Sequence, residues 1–399
     1  MITVLGMGAD GWTGLAEGSR RRVLDAEVVL GGARHLDLLP PALDQIRRSW
    51  PSPLREGLPV LLEEYADRRV VALASGDPLV SGIGSTLIEL FGPEVVEVIP
   101  ALSSVALARA RMGWPAESVE VLTLVGRDEH AVLRTLAPGH RLLVLSSDET
   151  TPGRVAALLA DAGYGGSVMT VLGDLGSEDE SRQESRAVDW SGDAPQLHVL
   201  ALDLIGPGVG SWAAGLPDDA FESDGQLTKR DLRASALARL APQPGQLLWD
   251  IGAGAGSVGI EWMRAHPTCR TIAVEADPGR VDRIARNAQR LGVPALSVVE
   301  GRAPDAIEGL PSPDAVFIGG GATADRVLDA CLAALRPGGR LVVHGVTLQT
   351  EATLATAYAN HGGELTRVQI EHASPIGTFT GWTPARMVTQ WAWTKEGAS

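Results

Sequence analysis

LLWDIGAGAGSVG, residues 247–259, is the stretch whose reading decides the fold. Apolar Leu247, Leu248 and Trp249 lead to an acid, Asp250, and the run then breaks into Gly252, Gly254 and Gly256 before a helical pattern begins. A strand here feeds a helix whose first turn lets a nucleotide-like ligand approach the backbone, and only glycine permits that approach without a Cβ clash. Such loops usually open their domain. This one lies two-thirds of the way along a 399-residue chain, so a second unit is expected in front of it.

Working outward, short β-branched runs near 271–275, 296–300, 314–318 and 340–344 follow the loop, with helical patterns between them. A helical segment at 229–240 precedes it, with leucines at 232, 237 and 240. This alternation predicts a mostly parallel sheet covered on both faces. The runs 365–370 and 387–393 lie too close for a crossover helix and are expected to pair antiparallel at the sheet edge. The first half alternates as well, with strand-like runs at 2–5, 28–30, 70–74, 95–99, 121–125, 142–145, 168–172 and 198–204. Gly206-Pro-Gly-Val-Gly, followed by Pro217-Asp-Asp, reads as a linker. The expected division is a domain at 1–205, a linker at 206–217 and a domain at 218–399; the halves share no repeat and read as different α/β folds.

Composition narrows the function classes. The chain is 45% hydrophobic and 21% charged, with 47 glycines and 25 prolines, as in ordinary globular proteins. No apolar run reaches the roughly 18 residues needed to span a bilayer. MITVLGMGADGW lacks the basic start and long apolar core of a secretory signal, so a cytoplasmic location is expected and no membrane partner. A net charge of −15, from 34 basic and 49 acidic residues, argues against nucleic acid as partner. Cys269 and Cys331 cannot build a disulfide framework or a thiolate metal site and read as buried small apolar residues. No HExxH, no CxxC and no other metal cluster occurs, so no metal is expected.

Taken alone, the glycine loop is ambiguous, because Gly254-Ala-Gly-Ser-Val-Gly259 also satisfies the dinucleotide fingerprint. Glu275 ends the next strand about 20 residues on, where a carboxylate takes ribose hydroxyls in either kind of site. The discriminating features are its neighbours. Asp250 precedes the glycines, Glu300-Gly301-Arg302-Ala303 follows the third strand, and Leu335-Arg-Pro-Gly-Gly-Arg-Leu-Val-Val turns into the fifth. Together these resemble the class I S-adenosylmethionine-dependent methyltransferases, with a Rossmann-like fold. For Asp250 and Glu275 the structural alternative is helix capping by strand-end acids; for Gly319-Gly-Gly it is an ordinary turn, beside a substrate-side role. Asp224-Gly-Gln-Leu-Thr-Lys-Arg-Asp-Leu-Arg, leading into the loop, resembles the decarboxylating precorrin methyltransferases from about residue 218 onward. That resemblance implies methylation of C15 of the macrocycle and loss of carbon dioxide from the ring C acetate. It also implies donor contacts at Thr228, Asp250, Gly252, Gly254, Gly256, Ser257, Glu275, Gly301, Arg302, Ala303 and Gly319.

In the first half, Val4-Leu-Gly6-Met-Gly8-Ala-Asp-Gly-Trp opens the chain and Ala74-Ser-Gly76-Asp77-Pro78-Leu-Val-Ser-Gly82 follows the third strand. With Pro100-Ala-Leu-Ser103-Ser104-Val these resemble the tetrapyrrole methylases, the class III methyltransferases, over about residues 1–205. Their fold is two α/β subdomains. Gly31-Gly-Ala-Arg34-His35-Leu is similar to the branch that methylates C5 of a precorrin. The first loop departs from the G-x-G-P-G of many relatives. Donor contacts are implied at Gly6, Gly8, Gly76, Asp77, Pro78, Gly82, Ser103 and Ser104, with Arg34 and His35 as substrate-side candidates. A Gly-Asp-Pro turn is by itself commonplace, Arg34-His35 also reads as a surface pair, Trp12 and Trp114 read as packing residues, and Glu178-Asp-Glu as a solvated loop.

Two donor domains on one chain imply one S-adenosylmethionine per domain and two methyl transfers to one tetrapyrrole, precorrin-6Y, giving precorrin-8 in cobalamin biosynthesis; a homo-oligomer is expected. Another tetrapyrrole substrate, or one domain kept as a binding scaffold, remains the alternative. The sulfonium already makes the methyl electrophilic, so alignment with a carbon nucleophile and exclusion of water suffice for transfer. The macrocycle itself can take the electrons released by decarboxylation. Its carboxylates need local basic groups on an acidic protein, and Lys229, Arg230, Arg233 and Arg302 are the candidates, with a solvated helix face as the alternative for the first three.

Overall fold

The protein is described here as a computed structural model covering residues 1–41, 44–208 and 212–397. It forms two compact units: Met1–Glu129 with Ala137–Pro207, and His130–Leu136 with Gly208–Ser399. Positions 209–211 of the expected linker and the last two residues lie outside the described residues.

Unit 1 holds two five-stranded sheets. The first contains β1 (Ile2–Met7), β2 (Val28–Gly31), β3 (Ile46–Ser49), β4 (Val70–Ser75) and β5 (Val96–Ile99), in the order β3-β2-β4-β1-β5, all parallel. Alternate residues of its central strands feed two separate cores. Val4, Leu30 and Ala72 pack on one face, and Leu5, Val29 and Leu73 on the other. Burial on both faces explains the nearly continuous apolar runs of these strands. The second sheet contains β6 (Glu120–Thr123), β7 (Arg141–Leu145), β8 (Val168–Gly173), β9 (Ser181–Arg186) and β10 (His198–Asp203), ordered β6-β7-β10-β8-β9. Only β6 and β7 run parallel in it; the other pairs are antiparallel. Two strands fell outside the expected series, β3 and β9. Their sequences, IRRS and SRQESR, carry one apolar residue and none, because each is an edge strand with little to bury.

Unit 2 is built on one seven-stranded sheet. Its strands are β11 (Leu247–Ile251), β12 (Arg270–Glu275), β13 (Ser297–Glu300), β14 (Ala315–Ile318), β15 (Arg340–Gly345), β16 (Glu364–Val368) and β19 (Val388–Thr394), in the order β13-β12-β11-β14-β15-β19-β16. The first five are parallel, and β19 pairs antiparallel with both β15 and β16, as expected for the closing edge. A hairpin, β17 (Glu371–Ile376) and β18 (Phe379–Pro384), was not expected; it is largely exposed, with Phe379 and Trp382 outward. Leu247, Trp249 and Ile251 pack into the core on one face of the sheet, Leu248 into the core on the other. The strand order reverses at β11, between β12 and β14, and such a switch point opens a crevice at the carboxyl ends of the strands.

Candidate active sites

That crevice is a cavity of about 690 Å³, within the size range of small-molecule sites. Gly252, Gly254, Glu275, Gly301, Arg302, Ala303, Gly319, Thr228 and Lys229 all line it, so the structure brings together most of the residues singled out in this half. The three loop glycines have φ of +66°, +61° and +75°. A Cβ on Gly252 would lie 2.9 Å from the Gly320 carbonyl oxygen, and one on Gly254 would lie 2.8 Å from that of Gln226. Backbone thus packs on backbone around the mouth. Gly256 serves packing instead: its Cβ would meet Ile284 at 2.9 Å, so it lets the helix Ser257–Ala265 settle.

Glu275 is buried at the cavity wall. Its Oε2 accepts from the Gly254 N–H at 2.8 Å, and its Oε1 from Ala276 and Asp277 at 2.9 and 3.0 Å. The carboxylate holds the glycine loop in shape and faces the cavity. Asp250 stands elsewhere. It is buried beneath the loop, does not line the cavity, and its Oδ2 accepts from the Gly259 N–H at 2.9 Å while Oδ1 has no partner. Burial, together with the nearby Glu275 charge, pushes its carboxyl up to about 7. Gly256 and Ser257 also lie off the cavity lining.

The basic cluster does not act as one patch. Lys229 lines the cavity with its Nζ 3.6 Å from Asp218 Oδ2. Arg230 is exposed, away from the lining, and donates its backbone N–H to Asp218 at 2.9 Å. Arg233 corrects the expectation of a substrate-binding side chain: it is wholly buried, with Nε 2.6 Å from Glu261 Oε1 and one amino group 2.6 Å from the Thr228 carbonyl. A second amino group bonds the Leu216 carbonyl, and the guanidinium lies over the Phe221 ring. Sequence reasoning missed Arg280, His372, Arg386 and His344 on the lining. A lone histidine inside the apolar run LVVHG reads as core; only the strand order puts His344 at the crevice.

In unit 1 a smaller cavity, about 140 Å³, is lined by Gly8, Gly76, Ser104 and Arg34, and also by Asp174 and His198, which the sequence did not mark. Gly6 shapes the loop rather than the lining, because a Cβ there would overlap the Gly76 carbonyl oxygen at 1.9 Å. Asp77 folds its own turn, its Oδ1 accepting from the Leu79 N–H at 2.9 Å. The Pro78 carbonyl accepts from the Gly84 N–H at 3.1 Å and would meet a Cβ on Gly82 at 2.6 Å. Ser103 caps the helix Ser104–Met112 through Ala106 at 3.1 Å. Asp77, Pro78, Gly82 and Ser103 therefore build the rim and are not on the lining. His35 is buried just behind it, 3.1 Å from Ser75 Oγ, and burial plus the Arg34 charge pushes it down to about 4. Burial lowers Arg34 from its ordinary value, opposed by Asp174.

Cys269 and Cys331 are buried and free, and burial pushes the Cys331 thiol up to about 12. Among the described residues no group of three or more His, Cys, Asp or Glu side chains is arranged to hold a metal ion, and no helix is long and apolar enough to cross a membrane.

Comparison with known proteins gives matches to two family profiles. The profile of Tetrapyrrole (Corrin/Porphyrin) Methylases matches residues 1–187, and that of the Precorrin methyltransferase domain matches residues 219–395. A precorrin-6Y C(5,15)-methyltransferase (decarboxylating) of Sinorhizobium sp is 44% identical over 398 residues, covering 99% of this chain and 96% of the relative. Its namesake from Mycobacterium tuberculosis (strain ATCC 25618 / H37Rv) is 45% identical over 400 residues, 99% of this chain and 100% of the relative. Among solved structures, the C-terminal domain of precorrin-6Y C5,15-methyltransferase from Rhodobacter capsulatus is 43% identical, covering 47% of this chain and 100% of that one, with a TM-score of 0.45. Similarity at this level, end to end and over both motif sets, means that the chain belongs to the family of decarboxylating precorrin-6Y C(5,15)-methyltransferases.

Proposed function

We propose that the chain methylates precorrin-6Y at C5 and C15 with S-adenosylmethionine and removes the ring C acetate carboxyl, giving precorrin-8 in cobalamin biosynthesis. The observation that carries this is identity of 44–45% over 99% of the chain to relatives bearing that activity in their names. Residues 1–205 serve C5 in this reading, and residues 218–399 serve C15 and the decarboxylation. One donor is held in each half.

The residues of the larger cavity fit such a donor. Glycines 252 and 254 leave no room for side chains, so a ligand meets backbone, and the Glu275 carboxylate suits ribose hydroxyls. In unit 1 the loops at Gly8 and Gly76, together with Ser104, offer the corresponding cradle. Bound there, the donor supplies a methyl group activated by its sulfonium. The protein's work is then positioning and exclusion of water. Lys229, Arg302 and Arg386 on the larger cavity answer the macrocycle's carboxylates despite the overall net charge of −15.

The test is incubation of the full chain with precorrin-6Y and labelled donor. Two methyl additions and one carbon dioxide loss by mass are expected, with two donor equivalents bound per chain by calorimetry. Any other stoichiometry rejects the reading.

A further inference from the structure

His344 lies on β15 directly across from Gln390 of β19, and its ring lines the larger cavity while being 8% exposed. The Gln390 amide is oriented by Arg239, whose Nε and one amino group lie 3.0 and 3.2 Å from its oxygen. The amide nitrogen therefore faces His344 Nε2 at 2.8 Å and donates to it. A ring nitrogen that accepts carries no proton, so the single proton of the neutral imidazole sits on Nδ1. Nδ1 has no hydrogen-bond partner among the described residues and is not sealed from solvent. Burial and the charge behind the ring favour the neutral form. Phe317 meets it edge-on at 5.0 Å, and the Arg239 cation stands behind Gln390, itself held by Glu364 at 3.0 Å. Burial and Arg239 push His344 down to about 4.

We propose that His344 donates a hydrogen bond from Nδ1 to the acetate carboxylate that leaves as carbon dioxide, with Gln390 and Arg239 as positioning residues that fix its tautomer. This rests on reading the larger cavity as the decarboxylating site. The physical reason for a neutral donor lies in the charge balance of the step. The bond between the acetate methylene and the carboxylate carbon breaks, its electron pair passes into the conjugated macrocycle, and neutral carbon dioxide departs. A proton from solvent then completes the methyl group. A cation paired with the carboxylate stabilises the charge that must leave it, and so stabilises the ground state over the transition state. A neutral N–H orients the same carboxylate with a weaker hold. The other cavity-lining cations remain for the carboxylates that are kept.

The experiment uses the full chain. Nitrogen-15 spectra of histidine-labelled protein, with His344 assigned by its loss in His344→Gln, are expected to show an Nδ1–H tautomer that persists across about pH 6 to 8. Gln390→Glu offers Nε2 an acceptor in place of a donor and moves the proton to Nε2. His344→Phe keeps the ring volume and removes both nitrogens. It is expected to slow decarboxylation about a hundredfold, with donor still bound by calorimetry and a methylated, still carboxylated product accumulating. His344→Gln, which can accept from Gln390 and still donate, recovers much of the loss. An Nε2–H or imidazolium signal in the unaltered chain overturns the proposal, as does a His344→Phe chain that decarboxylates at full rate. Should His344→Phe fail to fold, the tautomer in the unaltered chain decides alone. Failure of the unaltered chain to decarboxylate or bind donor would instead refute the reading of the cavity.

Discussion

A carboxyl group with no access to water and a single N–H to accept from has little to hold its charge. Asp250 is in that position, 1% exposed, with the Gly259 N–H on one oxygen and nothing on the other. Its carboxyl is pushed up to about 7, first by burial and further by the charge of Glu275. The sign of the stability effect follows. The unfolded chain releases this proton near the ordinary value of 3.8, while the folded chain keeps it to about 7. The neutral form's contribution is therefore complete below 3.8 and is lost as pH rises to about 7, at roughly 1.4 kcal/mol per unit of displacement. Asp250→Asn keeps the oxygen that accepts from Gly259 and cannot ionise. Urea denaturation is expected to show the variant within about 1 kcal/mol of the parent near pH 4. Near pH 8 the variant becomes the more stable of the two, with donor affinity unchanged because residue 250 does not line the cavity. A variant less stable by several kcal/mol at both values would mean that the carboxylate charge is needed. His35 and His344 act in the opposite sense: both are held near 4, so their neutral burial costs stability as pH falls from 6.5 toward that value.

The segment that carries Gly225 to Lys229 onto the cavity has no regular structure of its own, and side chains from three helices hold it and the residues just before it. Arg233, on the helix Arg230–Leu240, binds the carbonyls of Leu216 and Thr228; Glu261, on the helix Ser257–Ala265, accepts from the N–H groups of Gly215 and Leu216 at 2.6 and 2.8 Å. Arg280 and Arg286, on the helix Pro278–Arg290, tie down Asp224 and Glu222. Arg233→Met leaves Glu261 with an uncompensated buried charge and is expected to cost about 3–5 kcal/mol. Adding Glu261→Gln removes that charge and recovers part of the stability. Weakened donor binding should persist in the double variant, because Thr228 remains released; calorimetry and denaturation together read both. Equal stability of the single variant and the parent would contradict this account. The same elements show what the sequence discloses. Strands buried on both faces, such as β11 and β14, spell out long apolar runs, and the glycines at 252 and 254 announce a close approach that the carbonyls of Gly320 and Gln226 then require. Arg233 was illegible because its burial depends on Glu261, 28 residues away. β9 was illegible because an edge strand needs no apolar side chain, and His344 because a cross-strand partner 46 residues distant decides which nitrogen carries the proton.

Each unit has its own sheets, its own apolar cores and its own glycine-lined cavity. If each cavity performs one transfer, damage confined to one loop should remove one methyl group and leave the other. Gly254→Ala is suited to the C-terminal loop: residue 254 has φ of +61°, and its new Cβ would stand 2.8 Å from the Gln226 carbonyl oxygen. Gly76→Ala is its counterpart in unit 1, with φ of +54° and a Cβ 3.1 Å from the Leu102 carbonyl oxygen. Forcing alanine into this conformation costs about 1–3 kcal/mol, enough to displace a binding loop and too little to unfold a unit with two sheet-face cores. Mass analysis of the macrocycle after reaction with the full-length variants is the readout. Gly254→Ala is expected to yield a singly methylated product that keeps its acetate carboxyl. Gly76→Ala is expected to yield one that carries the other methyl and has lost the carboxyl. Decarboxylation should therefore segregate with the C-terminal loop if, as proposed, that cavity holds the macrocycle that takes up the electrons of carbon dioxide loss. If both variants instead lose both methylations while remaining folded, the two cavities form one catalytic system. If the carboxyl is lost in Gly254→Ala and retained in Gly76→Ala, the assignment of the two chemistries is reversed.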